Sequence, residues 1–210
     1  MVTPPLPLDR DHLRTSHLAQ LRSAFVATLV LTLLCGGVFP AVVWAIAQLF
    51  PENAHGSLVI SDGTPHGSRL IGQTFRSAHY FHGRPSAAGD GYDASLSGGT
   101  NLATDNPKQL AFLDERRAAY RSENQLPANA PIPADAITAS GSGLDPHISP
   151  ENAAAQAARV ARARGLTLER VEALIADYTS GRTLGLIGEP RVDVLGLNLA
   201  LDRTAPMGRR

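Results

Sequence analysis

From Ser23 to Phe50 the chain carries no charged side chain. The hydrocarbon core of a bilayer is about 30 Å thick and takes roughly 20 apolar residues at 1.5 Å rise, so this stretch predicts one membrane-spanning helix with length to spare for tilt. Val26, Leu29, Val30, Leu31, Leu33, Leu34, Val38, Phe39, Val42 and Val43 lie near its centre, and together they favour insertion by roughly 3 to 6 kcal/mol. Gly36, Gly37 and Pro40 subtract from that without reversing it. Within the run, Ala24, Thr28, Thr32, Gly36 and Pro40 recur every four residues. Small side chains on one helix face let a neighbouring backbone approach closely, which is how helices associate in lipid, so these five are the expected packing face for a partner helix. Trp44, near the far end of the run, is the expected interfacial aromatic.

Beyond the run the pattern changes to that of a folded α+β domain. Residues 51–68 are rich in Gly, Ser, Pro and Asn and read as a linker that opens into a first strand at Ser57 to Ser61; Arg69 to Phe75 reads as another strand. From His79 to Asn106 the chain is dense in turn residues, an unusually long loop of the kind that is functional when it is structured. Three helices have recognisable ends. Asn106 and Pro107 start one that closes near Asn124. Ser149, Pro150 and Glu151 start a second that stops at Gly165. Thr167 starts a third, with Val171, Leu174, Ile175 and Tyr178 at helical spacing, that closes at Gly181. The last two predict a helical hairpin. After Pro190, Leu195, Leu197, Leu199 and Leu201 alternate with period two and predict a strand over Arg191 to Leu201. The expected division is a cytoplasmic segment 1–22, a transmembrane helix 23–50, the linker and first strand 51–68, one extracytoplasmic mixed α/β domain 69–203 and a tail 204–210.

Charge gives the orientation. Arg10, Arg14 and Arg22 precede the apolar run, and no Lys or Arg follows it until Arg69, so the N-terminus is expected in the cytoplasm and everything from Pro51 outside. Ala45-Ile46-Ala47 has the small-x-small form of a signal cleavage site, but the apolar stretch before it exceeds the 7 to 15 residues usual for a signal peptide. The formal net charge is zero, so no global field draws the chain to nucleic acid. Its one cysteine, Cys35, lies inside the apolar run, which excludes a disulfide framework and a cysteine zinc site.

Fragments that imitate catalytic motifs are weak. His66, His79 and His82 read as surface histidines, and no metal site is expected. Ser142, Asp145 and His147 stand closer in sequence than the members of known triads, and Ser140-Gly141-Ser142-Gly143 lacks the G-x-S-x-G form of a nucleophile elbow. Leu96-Ser97-Gly98-Gly99 is similar to the signature loop of transporter ATPases, but no phosphate-binding G-x-x-x-x-G-K-[ST] loop accompanies it. No residue is expected to be catalytic.

The order of these fragments is specific. Gly67-Ser68-Arg69-Leu70-Ile71-Gly72-Gln73, Tyr80-Phe81, Arg84-Pro85-Ser86-Ala87, Tyr92-Asp93, Leu96 to Leu102, Asn106-Pro107, Thr138 to Pro150, Gln156, Arg159-Val160-Ala161, Gly185 to Pro190, Val194-Leu195 and Leu197-Asn198 follow one another. In that order the chain resembles the C subunit of the Kdp potassium-transporting ATPase. Thr100, Ala103, Thr104 and Asp193 depart from the expected pattern. The resemblance implies an accessory, non-hydrolysing subunit of the bacterial inner membrane, in a complex that imports potassium at the expense of ATP. Its implied partners are a potassium-conducting subunit, a P-type ATP-hydrolysing subunit and a further small single-span subunit, together with membrane lipid. It implies no cofactor of the chain's own, ATP being reached through the complex. It also implies a catalytic-chaperone role in which Gln156 contacts nucleotide and raises the ATP affinity of the ATPase subunit. The residues themselves favour another role for Gln156, because the charge flanks put it outside, where ATP is scarce, and a lone glutamine in an alanine-rich helix is more often a packing or capping contact. Stabilisation or gating of the channel's outer mouth is then the preferred mechanism, with Arg84, Ser86, Asp145 and His147 as partner-facing loop residues. An anchored extracytoplasmic hydrolase and a secreted binding module remain as alternatives.

Overall fold

The computed structural model describes residues 17–61 and 63–206; Arg10 and Arg14 of the expected cytoplasmic flank lie outside them. The chain divides into a unit that ends at His55 and a unit that begins at Gly56.

The first unit is built on helix α1, His17–Ala47, long and apolar enough to cross a membrane. It begins before Ser23 and ends before Phe50, with the Gln48 side chain donating back to the Trp44 carbonyl at 3.1 Å. Leu34–Val38 forms a π-turn, in which the Phe39 N–H reaches the Leu34 carbonyl five residues back. The cause is Pro40. Its ring has no N–H and crowds the carbonyl four residues before it, so the helix widens there and continues beyond. A single turn, Pro51–Ala54, follows.

The second unit opens with an antiparallel hairpin, β1 Leu58–Ser61 and β2 Thr64–Ser68. The first strand falls where the sequence places it. The second falls earlier than expected, and Arg69 to Phe75 has no regular structure. Gly72 explains the difference, because a Cβ there would stand 2.5 Å from the Asp145 carbonyl oxygen and from the Tyr92 ring. Its N–H donates to the Leu144 carbonyl at 2.8 Å, so the segment is pressed against a loop and has no partner strand.

Helix α2, Pro107–Asn124, starts on the Asn106 side chain, and α3, Pro150–Arg164, on the Ser149 side chain, as read from the sequence. Gly165 closes α3 at φ +64°. Helix α4, Leu168–Asp177, is capped by Thr167 and packs on α3 as the expected hairpin. It ends short of Gly181, because Thr179 and Ser180 pair with Val192 and Arg191 instead. That pairing builds a three-stranded antiparallel sheet, in which β5, Arg191–Asp193, lies between β3, His147–Ile148, and β4, Thr179–Ser180. From Val194 the expected strand is instead a helix, α5, Val194–Thr204. Asp193 caps it by accepting the Gly196 N–H at 3.0 Å. Val194, Leu197, Asn198 and Leu201 make a buried stripe at helical spacing, whereas Leu199 is only half-buried.

Phe81, Ile148, Ala157, Val160, Val171, Val192, Leu197 and Leu201 are the centre of the core, each at most 2% exposed. The larger of them contribute roughly 1.5 to 3 kcal/mol apiece. This core fixes α3 and α5 against the segment around Phe81, and so positions the polar groups described next.

Candidate functional site

Two polar clusters organise the domain. The first is buried. The α3 face that carries Ala153, Ala157 and Val160 also carries Asn152, Gln156 and Arg159, all 5% exposed or less. Gln156 accepts the His82 N–H at 2.8 Å and donates to the His82 carbonyl at 3.1 Å and to Asn152 Oδ1 at 2.8 Å. Asn198, on α5, does the same for Phe81, accepting its N–H at 2.8 Å and donating to its carbonyl at 2.9 Å. Arg159 completes the set. It donates to the Ala78 and Tyr80 carbonyls at 2.8 and 3.0 Å, to Asn124 Oδ1 at 2.9 Å and to Gln156 Oε1 at 2.8 Å. Residues 78–82 have no strand to pair with, and these side chains supply the pairing that buried backbone groups require. Burial lowers the Arg159 guanidinium below its ordinary range, partly offset by Glu123 and Tyr120. Gln156 therefore lies in the interior with both polar atoms bonded. Arg159 and Asn198 have the same function, and Asn152, held by Tyr120 and Asp135, orients the Gln156 amide; none of the three was singled out in the sequence as a site residue, although Gln156 and Arg159, three apart in a helix, share a face with the buried alanines.

The second cluster is at the surface, and it brings together all four residues expected on partner-facing loops. Arg84 donates to Asp145 Oδ2 at 3.1 Å and to the Thr138 and Ala139 carbonyls at 3.3 to 3.4 Å. Asp145 Oδ1 accepts the His147 backbone N–H at 3.0 Å, and the His147 ring lies 3.6 Å from the same carboxylate. Burial alone would raise the Asp145 carboxyl, but hydrogen bonds from His147 and Arg84 outweigh it and hold the group below its ordinary value. Ser86 ties the two loops together, donating to the Gly143 carbonyl at 2.6 Å and accepting the Tyr92 N–H at 2.8 Å. Tyr92 donates to the Arg84 carbonyl at 2.8 Å, and burial pushes its hydroxyl up to about 12. The long loop before Asn106 is thus fastened to the loop 138–147.

Arg84, Asp145 and His147 line a cleft of about 570 Å³, together with Asp135, Glu151, Glu189 and Arg191. Asp145 and Asp135 also protect β3. The His147 N–H goes to Asp145 and the Ser149 N–H to Asp135 at 2.7 Å, so carboxylates occupy the donors that an added strand would need. Ser142 Oγ accepts the Leu144 N–H at 3.1 Å, Ser149 Oγ donates to Asp135 at 2.8 Å, and among the described residues no hydroxyl bonds to the His147 ring. His82 bonds Glu123 at 3.0 Å and the Ser77 carbonyl, and His79 bonds the Ser77 hydroxyl at 2.9 Å. Among the described residues no three His, Cys, Asp or Glu side chains group as metal ligands.

Of the expected packing face, Ala24, Thr28, Thr32, Gly36 and Pro40 all lie on α1, uncovered by the chain itself. Four-residue steps drift round an ordinary α-helix by about 40° each, and the wider π-turn at Leu34–Val38 takes part of that drift back.

These features define a membrane-helix-bearing mixed domain whose polar residues hold its own loops in place. The family model for KdpC, the K+-transporting ATPase c chain, matches residues 21–203. The potassium-transporting ATPase KdpC subunit of Kineococcus radiotolerans is 52% identical over 91% of this chain and 97% of its own length. The same subunit of Mycobacterium tuberculosis is 54% identical over 88% and 98%, and that of Nitratidesulfovibrio vulgaris 52% over 90% and 96%. The chain belongs to the KdpC family. It is a subunit of the potassium-transporting ATPase complex, carrying one N-terminal helix suited to a membrane span.

Proposed function

We propose that this subunit turns over no ATP itself, and that it supports the complex from outside the cytoplasm, with α1 as its anchor and its N-terminus in the cytoplasm. Its partners are the potassium-conducting subunit, the P-type ATP-hydrolysing subunit and a further small single-span subunit. The observation that carries this reading is how the polar groups are used. Gln156, with Arg159 and Asn198, holds the backbone of residues 78–82, and Arg84, Ser86 and Asp145 lock two loops into one surface beside the cleft. Gln156 would have to leave four bonds in the interior to contact ATP. The locked surface suits a rigid docking face that stabilises or gates the outer mouth of the potassium-conducting subunit. A catalytic-chaperone effect on ATP affinity would then be transmitted through that docking, with nucleotide remaining on the ATPase subunit.

The test is co-purification of the tagged full chain with a P-type ATPase subunit, together with a reporter fused after Arg210. Association and reporter activity outside the cytoplasm are expected. Cytoplasmic activity would sink the outer-mouth mechanism and revive direct nucleotide contact.

A further inference from the structure

The connection between β4 and β5, residues 181–190, is exposed at every position. At its tip Leu184, Leu186 and Ile187 are 87%, 83% and 65% exposed. The segment is nevertheless built. Thr183 and Ile187 exchange backbone hydrogen bonds at 2.8 and 3.0 Å, the Gly185 N–H donates to the Arg182 carbonyl at 3.0 Å, and Arg182 pairs with Glu189 at 2.7 Å. Leu184 is held at φ +55°, a conformation that disfavours a side chain. A loop that fixes three large apolar side chains in water, against local strain, is pre-organised to bury them elsewhere.

We propose that this tip inserts into an apolar pocket on another protein subunit of the transport complex; the inference rests on the accessory-subunit reading above. Charge identifies the occupant. From Thr183 to Gly188 there is no charged or aromatic side chain, and the flanking Arg182 and Glu189 neutralise each other. A lipid-inserting loop uses free Lys or Arg against anionic headgroups and Trp or Tyr at the interface, and this tip offers neither. A protein pocket takes the opposite arrangement, a rigid apolar anchor with polar groups around it. That surround is present, because Glu189 and Arg191 at the base of the loop line the same cleft as Arg84, Asp145 and His147. Anchor and cleft form one continuous surface.

The test uses the assembled complex purified from membranes, with a photo-crosslinking amino acid replacing Leu186 in one sample and the exposed Glu172 of α4 in another. The Leu186 probe should join this chain to one other protein subunit, at an apolar stretch that the Glu172 probe does not label. The double substitution Leu184→Asp, Leu186→Asp should weaken retention of that subunit about tenfold, with the thermal midpoint of the chain alone unchanged because both side chains already face water. A Leu186 probe that labels lipid, labels only this chain, or labels no differently from the Glu172 probe within an intact complex overturns the docking and leaves the accessory-subunit reading standing. Full retention by the double variant does the same. Failure of the unsubstituted chain to join any complex overturns both.

Discussion

The side-chain amide of Gln156 and the backbone of His82 bond in both directions, N–H to Oε1 at 2.8 Å and Nε2 to carbonyl at 3.1 Å. One glutamine thus stands in for a neighbouring strand. Gln156→Ala would leave both His82 groups and one Arg159 donor without that partner in the interior, while Asn152 Oδ1 keeps its bond from the Tyr120 hydroxyl. The expected loss is roughly 2 to 4 kcal/mol, read from denaturant unfolding of the full chain in detergent. A Gln156 variant of unchanged stability that lowers ATP affinity in the complex would restore the nucleotide contact.

Two groups set opposite pH limits. Asp145 is held below its ordinary value in the folded chain, so the stability it contributes is complete above the usual carboxylate range near pH 4 and is lost as pH falls through its lowered value. Asp145→Asn should remove that part of the acid transition. Tyr92 is raised to about 12, so its contribution is complete below pH 10 and is lost between there and about pH 12. Tyr92→Phe should flatten this alkaline step in a thermal-midpoint profile, at a cost of about 1 kcal/mol at neutral pH for the lost bond to Arg84.

On α1, Gly36→Leu or Thr32→Leu should weaken co-purification with the other subunits while membrane insertion is unchanged. A side chain at Gly36 meets nothing within 4 Å in the chain itself, and leucine eases insertion, so only close contact with a partner helix can suffer. Leu33→Ala and Val30→Ala, off that face, are the controls. Equal loss from both sets would mean that the small-residue spacing is accidental.

Gly196 tests the C-terminal helix. Alanine is the better helix former by about 1 kcal/mol, but a Cβ here would stand 2.6 Å from Asp193 Oδ2 and 2.9 Å from the Tyr178 ring. Gly196→Ala should therefore destabilise the chain, by roughly 1 to 3 kcal/mol in chemical denaturation. A gain in stability would show that this end of the domain is loosely packed.

The starts of α2, α3 and α4 were legible because a cap is a local device: Asn106, Ser149 and Thr167 each bond an N–H two or three residues on. Residues 194–204 misled because four leucines alternate there. Asp193 before an apolar run is a helix-start signal that competed with the alternation, and the burial of Val194 and Asn198 decides for the helix. Arg69 to Phe75 misled because nothing near Gly72 in sequence reveals the loop pressed against it. Arg84, Ser86 and Asp145 were legible as loop residues held among turns, whereas His147 begins β3. Their assembly was not, since Arg84 and Asp145 stand 61 residues apart. The roles of Arg159 and Asn198 depend on contacts with residues 78–82, and that of Asn152 on Tyr120 and Asp135, which only the folded chain brings within reach.

On the reading proposed above, this subunit supports ATP-driven potassium import without hydrolysing ATP. Potassium-stimulated ATP hydrolysis by the complex, purified with and without this chain and set beside the purified chain alone, tests it most directly. Hydrolysis should require the chain within the complex, fall with Asp145→Ala, and be absent from the chain alone. Turnover by the purified chain, abolished by Asp145→Ala or His147→Ala, would contradict the claim and make this an anchored enzyme.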